Sequence, residues 1–220
     1  MALPALDPTL MIDMPGMYPF MDDVTQKICD FSGYGHSPTP LNFGGADAEY
    51  VDMQLGQGIY TDNINEQLDF GTEIDFDFTL ESFSIEAWIQ PSASGLSRPI
   101  FGKYLANTDG YLFHLSAADR VEFITYQSGA SQTTNSAVVA AADLNLHQYI
   151  AVRDGATVRL FKDGAEVVYN AVGVHINPVA PATRNALAFG FVGYSNRLRL
   201  GRRAWGSAEN YERYINAFRL

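Results

Sequence analysis

Residue type and spacing come nearest to catalysis in the segment Glu73-Ile74-Asp75-Phe76-Asp77. On a strand, alternate side chains share a face and recur about every 6.6 Å. The three carboxylates would then form one acidic row. Two carboxylates roughly 5 to 5.5 Å apart can serve as nucleophile and acid in cleaving a glycosidic bond. The pattern favours a solvated acidic turn instead, because no burial or charged partner is evident to perturb these groups. No catalytic residue is assigned. His36, His114, His147 and His175 are scattered without the spacing of metal ligands, so no metal site is assigned. No Ser-His-Asp order or phosphate-cradling glycine loop can be assembled, and Cys29 has no nucleophile signature around it.

Binding chemistry has clearer carriers. Trp88 and Trp205, with Tyr194 and Tyr211, offer aromatic faces on which sugars stack, beside polar neighbours such as Asn196 and Asn210. Burial in a core or subunit interface is the competing use of such rings. Arg197, Arg199, Arg202 and Arg203 form a basic stretch, within which Arg197 and Arg199 share a strand face as forked donors for the carboxylates of an acidic partner. Salt bridges within the chain are the plainer alternative. Met11, Met14, Met17, Tyr18, Phe20 and Met21 lie in a proline-broken stretch that no helix can span. Adaptable thioethers suit an extended arm laid on a neighbouring subunit, or folded back on its own domain.

The elements that position these residues follow from composition. The chain has 220 residues, 47% hydrophobic and only 18% charged, with a net charge of −11. Such a chain is neither disordered nor a helical bundle. Its acidity disfavours nucleic acid and anionic membrane as partners. The charge is uneven: residues 1–100 sum to −14 and residues 101–220 to +3. A single cysteine rules out an intramolecular disulfide. The first twenty residues lack Lys and Arg and are interrupted by four prolines, so no export signal is expected. No stretch approaches the roughly 20 apolar residues of a membrane span.

Residues 1–25 read as an extended Met/Pro-rich arm, and residues 26–220 as one β-sandwich domain. The run Ser82 to Pro91 alternates, with Phe83, Ile85, Ala87 and Ile89 on one face and Ser84, Glu86, Trp88 and Gln90 on the other. Between His147 and Tyr169, two Asp-Gly pairs nine residues apart predict two tight hairpins in a three-stranded meander. Further strands are expected at residues 100–103, 111–115, 120–126, 186–192, 198–200 and 214–220, and a loop at 128–135. Ten or more short strands without a convincing helix imply two packed antiparallel sheets.

In order and spacing these motifs resemble the laminin G-like, concanavalin A-like lectin/glucanase superfamily. Asp30 to His36 is similar to that group's early D-x-SG-x-GH turn, and Phe83 to Pro91 to its FTIEAWVKP strand. Gly110-Tyr111 matches a usual strand opening, and His147 to Val167 resembles the meander WHHVAVVRDGTTLRLFVDGVEV. Leu198 to Arg202 is similar to LRIGR and Tyr214 to Leu220 to YIDEVRI. Two departures are that His147 or Gln148 stands where tryptophan is usual, and Asn216 where aspartate is frequent. The resemblance implies an all-β jelly-roll sandwich preceded by an extended N-terminal arm. It also implies a calcium option, for which Asp47, Glu49 and Asp52, or Asp62 with Asn63 and Asn65, supply hard oxygen ligands without EF-hand spacing. No cofactor is otherwise expected. Glucanases of this superfold use an E-x-D-x-(x)-E row, from which the segment at 73–77 departs by ending in Asp77.

Similar domains recur in virion proteins of tailed phages. The resemblance therefore implies a non-enzymatic virion component, such as a capsid decoration protein made in the host cytoplasm. Its partners would be other virion proteins or copies of itself. The alternative is a lectin-like module for cell-surface glycan, and the third reading is a glycoside hydrolase.

Overall fold

The computed structural model describes residues 17–19, 39–41, 49–53, 56–60, 67–70, 76, 78, 81–91, 94–105, 109–127, 130–137, 143–175, 199–200 and 213–219. Side chains are described for residues 68, 70, 76, 78, 81–91, 94–103, 110–127, 130–137 and 143–175. The strands are β1 Met17–Pro19, β2 Thr39–Leu41, β3 Glu49–Met53, β4 Gly56–Tyr60, β5 Gln67–Asp69, β6 Phe83–Pro91, β7 Arg98–Leu105 and β8 Asp109–Leu115. They continue with β9 Val121–Gln127, β10 Ala130–Ser136, β11 His147–Asp154, β12 Thr157–Lys162, β13 Ala165–Glu166, β14 Tyr169–Ala171, β15 Arg199–Leu200 and β16 Arg213–Arg219. Among the described residues there is no α-helix.

The strands form two eight-stranded antiparallel sheets. Sheet A runs β13-β12-β11-β6-β16-β4-β3, with β1 also paired to β16, and sheet B runs β14-β10-β9-β8-β7-β15-β5-β2. Alternation decides which side chains meet between them. On β6, Ile85, Ala87 and Ile89 are fully buried while Ser84 is exposed and Glu86, Trp88 and Gln90 are half-buried, as the sequence predicts. Tyr149 and Ala151 of β11 and Val158 and Leu160 of β12 extend this inner face. Opposite them lie Tyr111, Phe113 and Leu115 of β8 with Val121 and Phe123 of β9. A register shift between Pro99 and Phe101 accompanies burial of both Ile100 and Phe101.

Aromatic rings fill the space between the sheets. Phe70, Phe76 and Phe101 meet edge to face at 6.3 to 6.4 Å, and Phe78 stacks on Phe83 at 4.2 Å. Both arrangements suit the ring quadrupole. The Tyr111 hydroxyl, fully buried, donates to the Phe76 carbonyl at 3.4 Å. Phe76 itself takes a 3₁₀ conformation.

Both hairpins of the meander form, yet the two Asp-Gly pairs make different turns. Asp154 pairs with Thr157, leaving Gly155-Ala156 as the two-residue loop with φ +58 at Gly155. A glycine at the first loop position is the type II′ requirement. Lys162 pairs with Ala165, so Asp163-Gly164 is itself the second loop, with φ +52 and +79. Two positive φ values define type I′.

One expectation fails. The polar run assigned to a loop at 128–135 contains β10, paired to β9 over Ala130–Asn135 and to β14 at Asn135 and Ser136. Two of its polar side chains find partners: the Ser136 hydroxyl accepts from the Val121 amide at 3.1 Å, and Thr134 is bound to His175. The expected strand at 186–192 lies outside the described residues.

Candidate functional site

The face of sheet A turned away from the core gathers the groups best suited to hold a ligand. Trp88 on β6 stands in register with Gln148 of β11 on one side and Ala217 of β16 on the other. Its indole Nε1 donates to Glu86 Oε1 at 3.1 Å, and Gln148 Nε2 donates to the same oxygen at 2.8 Å. One carboxylate therefore fixes both the ring and a neighbouring amide. Gln90 Nε2 reaches the Leu144 carbonyl at 3.4 Å, in the loop that precedes β11. A half-buried ring flanked by amides and a carboxylate offers a flat apolar surface with hydrogen-bond partners at its rim.

The same face continues to β12. The Arg159 guanidinium lies 5.2 Å over the Phe161 ring, and its Nε donates to Glu166 Oε1 at 3.1 Å while Nη2 donates to Oε2. The Tyr169 hydroxyl donates to Glu166 Oε1 at 2.8 Å and accepts from the Leu160 amide at 2.9 Å. The hydrogen bonds from Arg159 and then Tyr169 hold the Glu166 carboxyl down at about 2. Burial, with the Glu166 hydrogen bond, pushes the Tyr169 hydroxyl up to about 12.

At the rim, His147 bridges two carboxylates. Nδ1 contacts Asp163 Oδ2 at 2.7 Å and Nε2 contacts Asp143 Oδ2 at 2.8 Å, with Lys162 Nζ 3.6 Å from the latter. Burial acts upward on the Asp143 carboxyl but is outweighed by the hydrogen bonds from His147 and the Asn145 amide, so it lies below its ordinary value. The carboxylates flank opposite edges of the ring and cannot converge on one cation. Among the described residues no group of three His, Cys, Asp or Glu side chains is placed to hold a metal ion.

The outward row of sheet B differs. His114, Glu122 and Asn135 occupy one row across β8, β9 and β10, with His114 Nε2 3.0 Å from Glu122 Oε2. Burial raises the Glu122 carboxyl, but the His114 hydrogen bond and charge and the hydrogen bonds to Ser116 and Asn135 together bring it below its ordinary value. Among the described residues, His114 Nδ1 and Asn135 Oδ1 are buried without partners. Those atoms are closed to an incoming ligand, which leaves the Trp88 face as the more accessible of the two.

The remaining sequence candidates are brought together only in part. Met17 and Tyr18 lie on β1, paired with Arg219 and Phe218 of the chain's own last strand. Met11, Met14, Phe20 and Met21 lie outside the described residues, as do Trp205, Arg197, Arg202, Arg203, Tyr194 and Tyr211. Arg199 on β15 stands in register with Asp69 of β5, an acidic position within the same chain. Glu49 and Asp52 fall three apart on β3 and so on opposite faces of that strand. Asp47, Asp62, Asn63, Asn65, Glu73, Asp75 and Asp77 are outside the described residues. The sequence reading missed Gln148 as the partner of Trp88. No local pattern marks it, because the register of β6 on β11 is what places Gln148 beside Trp88.

Comparison with known proteins fits this architecture. A family model described as the concanavalin A-like lectin/glucanases superfamily, laminin G-like, matches residues 63–211. No curated protein sequence matches. Domain 4 of AbnA, an extracellular arabinanase of Geobacillus stearothermophilus, is 13% identical with a TM-score of 0.64, over 94% of this chain and 90% of that one. A botulinum neurotoxin type C structure is 13% identical with a TM-score of 0.63; the match covers 96% of this chain but only 48% of the toxin chain. The CBM40 of a Ruminococcus gnavus sialidase is 14% identical with a TM-score of 0.53, over 74% of this chain and 88% of that one. At such identities the structural likeness speaks for the fold alone. The family match, spanning more than half of the chain, makes it a member of the concanavalin A-like lectin/glucanase superfamily.

Proposed function

We propose that this protein is a non-catalytic carbohydrate-binding module that receives sugar on the outer face of sheet A around Trp88. The observation that carries this reading is the indole held by Glu86 with Gln148 on the same oxygen. A sugar ring would stack its C–H face on the indole, and its hydroxyls would meet the amides of Gln90 and Gln148 and the carboxylate of Glu86. The AbnA domain was solved with arabinotriose, and the same sialidase module also with α2,3 sialyllactose, which supports the ligand class. The role expected first from the sequence, a virion decoration protein, gains no support from these relatives, and glycan recognition takes its place as the leading reading. Co-sedimentation with capsids, independent of any sugar, is the result that would restore it. The direct test is a glycan array with the wild-type chain and Trp88→Ala. Saturable binding to a sugar, lost in Trp88→Ala and weakened in Gln148→Ala, is expected; binding unchanged in both variants would remove this face from the proposal.

A further inference from the structure

The corner where β14 leaves sheet B is closed by a histidine that the binding face does not use. His175 is fully buried, with Nδ1 2.9 Å from the Thr125 hydroxyl on β9 and Nε2 2.7 Å from the Thr134 hydroxyl on β10. Its ring meets Phe123 edge to face at 5.8 Å. The backbone around it is tied to both sheets. The Gly173 amide donates to Thr134 Oγ1 at 3.1 Å, and the His175 amide donates to the Ala156 carbonyl in the β11–β12 turn at 3.0 Å. Arg153 on β11, itself buried, donates from Nη2 to the His175 carbonyl and from Nη1 to the Glu81 carbonyl, each at 3.2 Å. A Cβ on Gly173 would lie 3.1 Å from His175 Nε2 and 3.2 Å from the Thr133 backbone, so glycine is what lets this segment lie so close.

Around this ring the charges are unfavourable for an imidazolium. β11 contributes Arg153, and Asp154 at its end is exposed and bonded to Ser82. From β9 and β10 the ring meets Thr125, Phe123 and Thr134, which are uncharged. Lys103 of β7 stands two strands away in the row of Tyr111 and Thr125, and is buried. Glu81 presents its backbone carbonyl to Arg153 and is exposed. Among the described residues no carboxylate is bonded to the imidazole.

We infer that residues 172–175 are an acid-released strap: protonating His175 expels its ring from between Thr125 and Thr134 and frees this corner while the rest of the sandwich stays closed. Release is local because the segment is held chiefly by polar contacts centred on His175, with little apolar burial of its own side chains among the described residues. β14 is a three-residue edge strand with an irregular register, and Val172 and Val174 on the strap are 61% and 59% exposed. Edge segments with few apolar contacts open before the core does. Burial, followed by the Arg153 charge, lowers the imidazole to about 4. Linkage then makes the opening constant of the strap rise about tenfold per pH unit below the ordinary histidine value, until the folded-state value is reached.

Amide hydrogen exchange on the full chain tests this. Peptides spanning residues 171–175, corrected for intrinsic rates, should lose protection between about pH 7 and pH 4.5, while peptides of β6 and β11 keep theirs. His175→Gln, which retains a donor and an acceptor but does not titrate, should show no such pH dependence. Unchanged strap protection in acid, the same loss in His175→Gln, or simultaneous loss in β6 would each overturn the inference. Should that variant fail to fold, the NMR titration of His175 in the wild-type chain decides. Titration near 4 together with loss of the Gly173 and His175 amides supports the strap, and titration near 6.5 overturns it.

Discussion

Two arginine–carboxylate pairs show how differently one chemistry acts in two parts of this molecule. Arg98 and Asp119 meet at 3.2 Å with side chains 1% and 9% exposed, whereas Arg159 and Glu166 make the shorter, forked contact with side chains 53% and 35% exposed. Asp119, itself at φ +54, also accepts from the Gly95 amide through both oxygens at 2.9 Å. The buried pair thus ties the turn after β8 to the segment entering β7. Contact length is the wrong guide to importance, because water competes for the exposed pair and is excluded from the buried one.

The largest effect should come from the buried member. Asp119→Ala leaves a guanidinium in the interior whose Nη2 already lacks a partner among the described residues, and should cost about 3 to 5 kcal/mol in urea denaturation. A loss below about 1 kcal/mol would show that burial is not what separates the two pairs.

Next comes the buried histidine. His175 is held at about 4 against an ordinary value of 6.5 by burial and then by the charge of Arg153. A depressed histidine is neutral in the fold, so its contribution is complete above pH 6.5 and is lost as pH falls from 6.5 to 4. The decline should reach about 3 kcal/mol at the acid end and be absent in His175→Gln, measured as unfolding free energy against pH. A flat profile in the wild-type chain would mean that this corner is wet.

These interior polar groups are also where the sequence was least informative. Ile85, Ala87 and Ile89 announced β6 by alternation, and Asp-Gly pairs announced both hairpins, because period and turn chemistry are local. Trp88 was placed correctly on the opposite face by the same period. Its hydrogen-bonded neighbour Gln148 is 60 residues away, and only the register of β6 on β11 brings them together. β10 was hidden because its serines, threonines and glutamine read as loop, although a polar strand is stable where its groups find partners such as His175. Nothing near His175 in the chain marks it as buried; Thr125 and Thr134 lie 50 and 41 residues away.

A change that touches no charge calibrates the comparison. Gly155 and Gly164 sit at φ +58 and +79 with open space where a Cβ would go, so alanine there meets backbone strain alone. Each substitution should cost about 1 to 2 kcal/mol by thermal or urea denaturation. A value near zero would mean that the hairpin shifts register to relieve the strain.

Glu166→Gln should have the smallest effect. The amide keeps an acceptor for the Tyr169 hydroxyl and for one Arg159 nitrogen, and the guanidinium remains over the Phe161 ring, so only the charge is removed. Because the carboxyl is held down at about 2, whatever stability the pair adds is present above its ordinary 4.5 and is lost as pH falls toward 2. That window lies below the one for His175, so the two acid responses can be told apart in a single titration. The melting midpoint of Glu166→Gln should shift less than that of Gly164→Ala, and added salt should erase the difference from wild type. A shift as large as that of Asp119→Ala, persisting at high salt, would show that this charge on the outer face of sheet A is part of the fold. The polar groups around Trp88 would then be the better place to look for a surface free to meet a sugar.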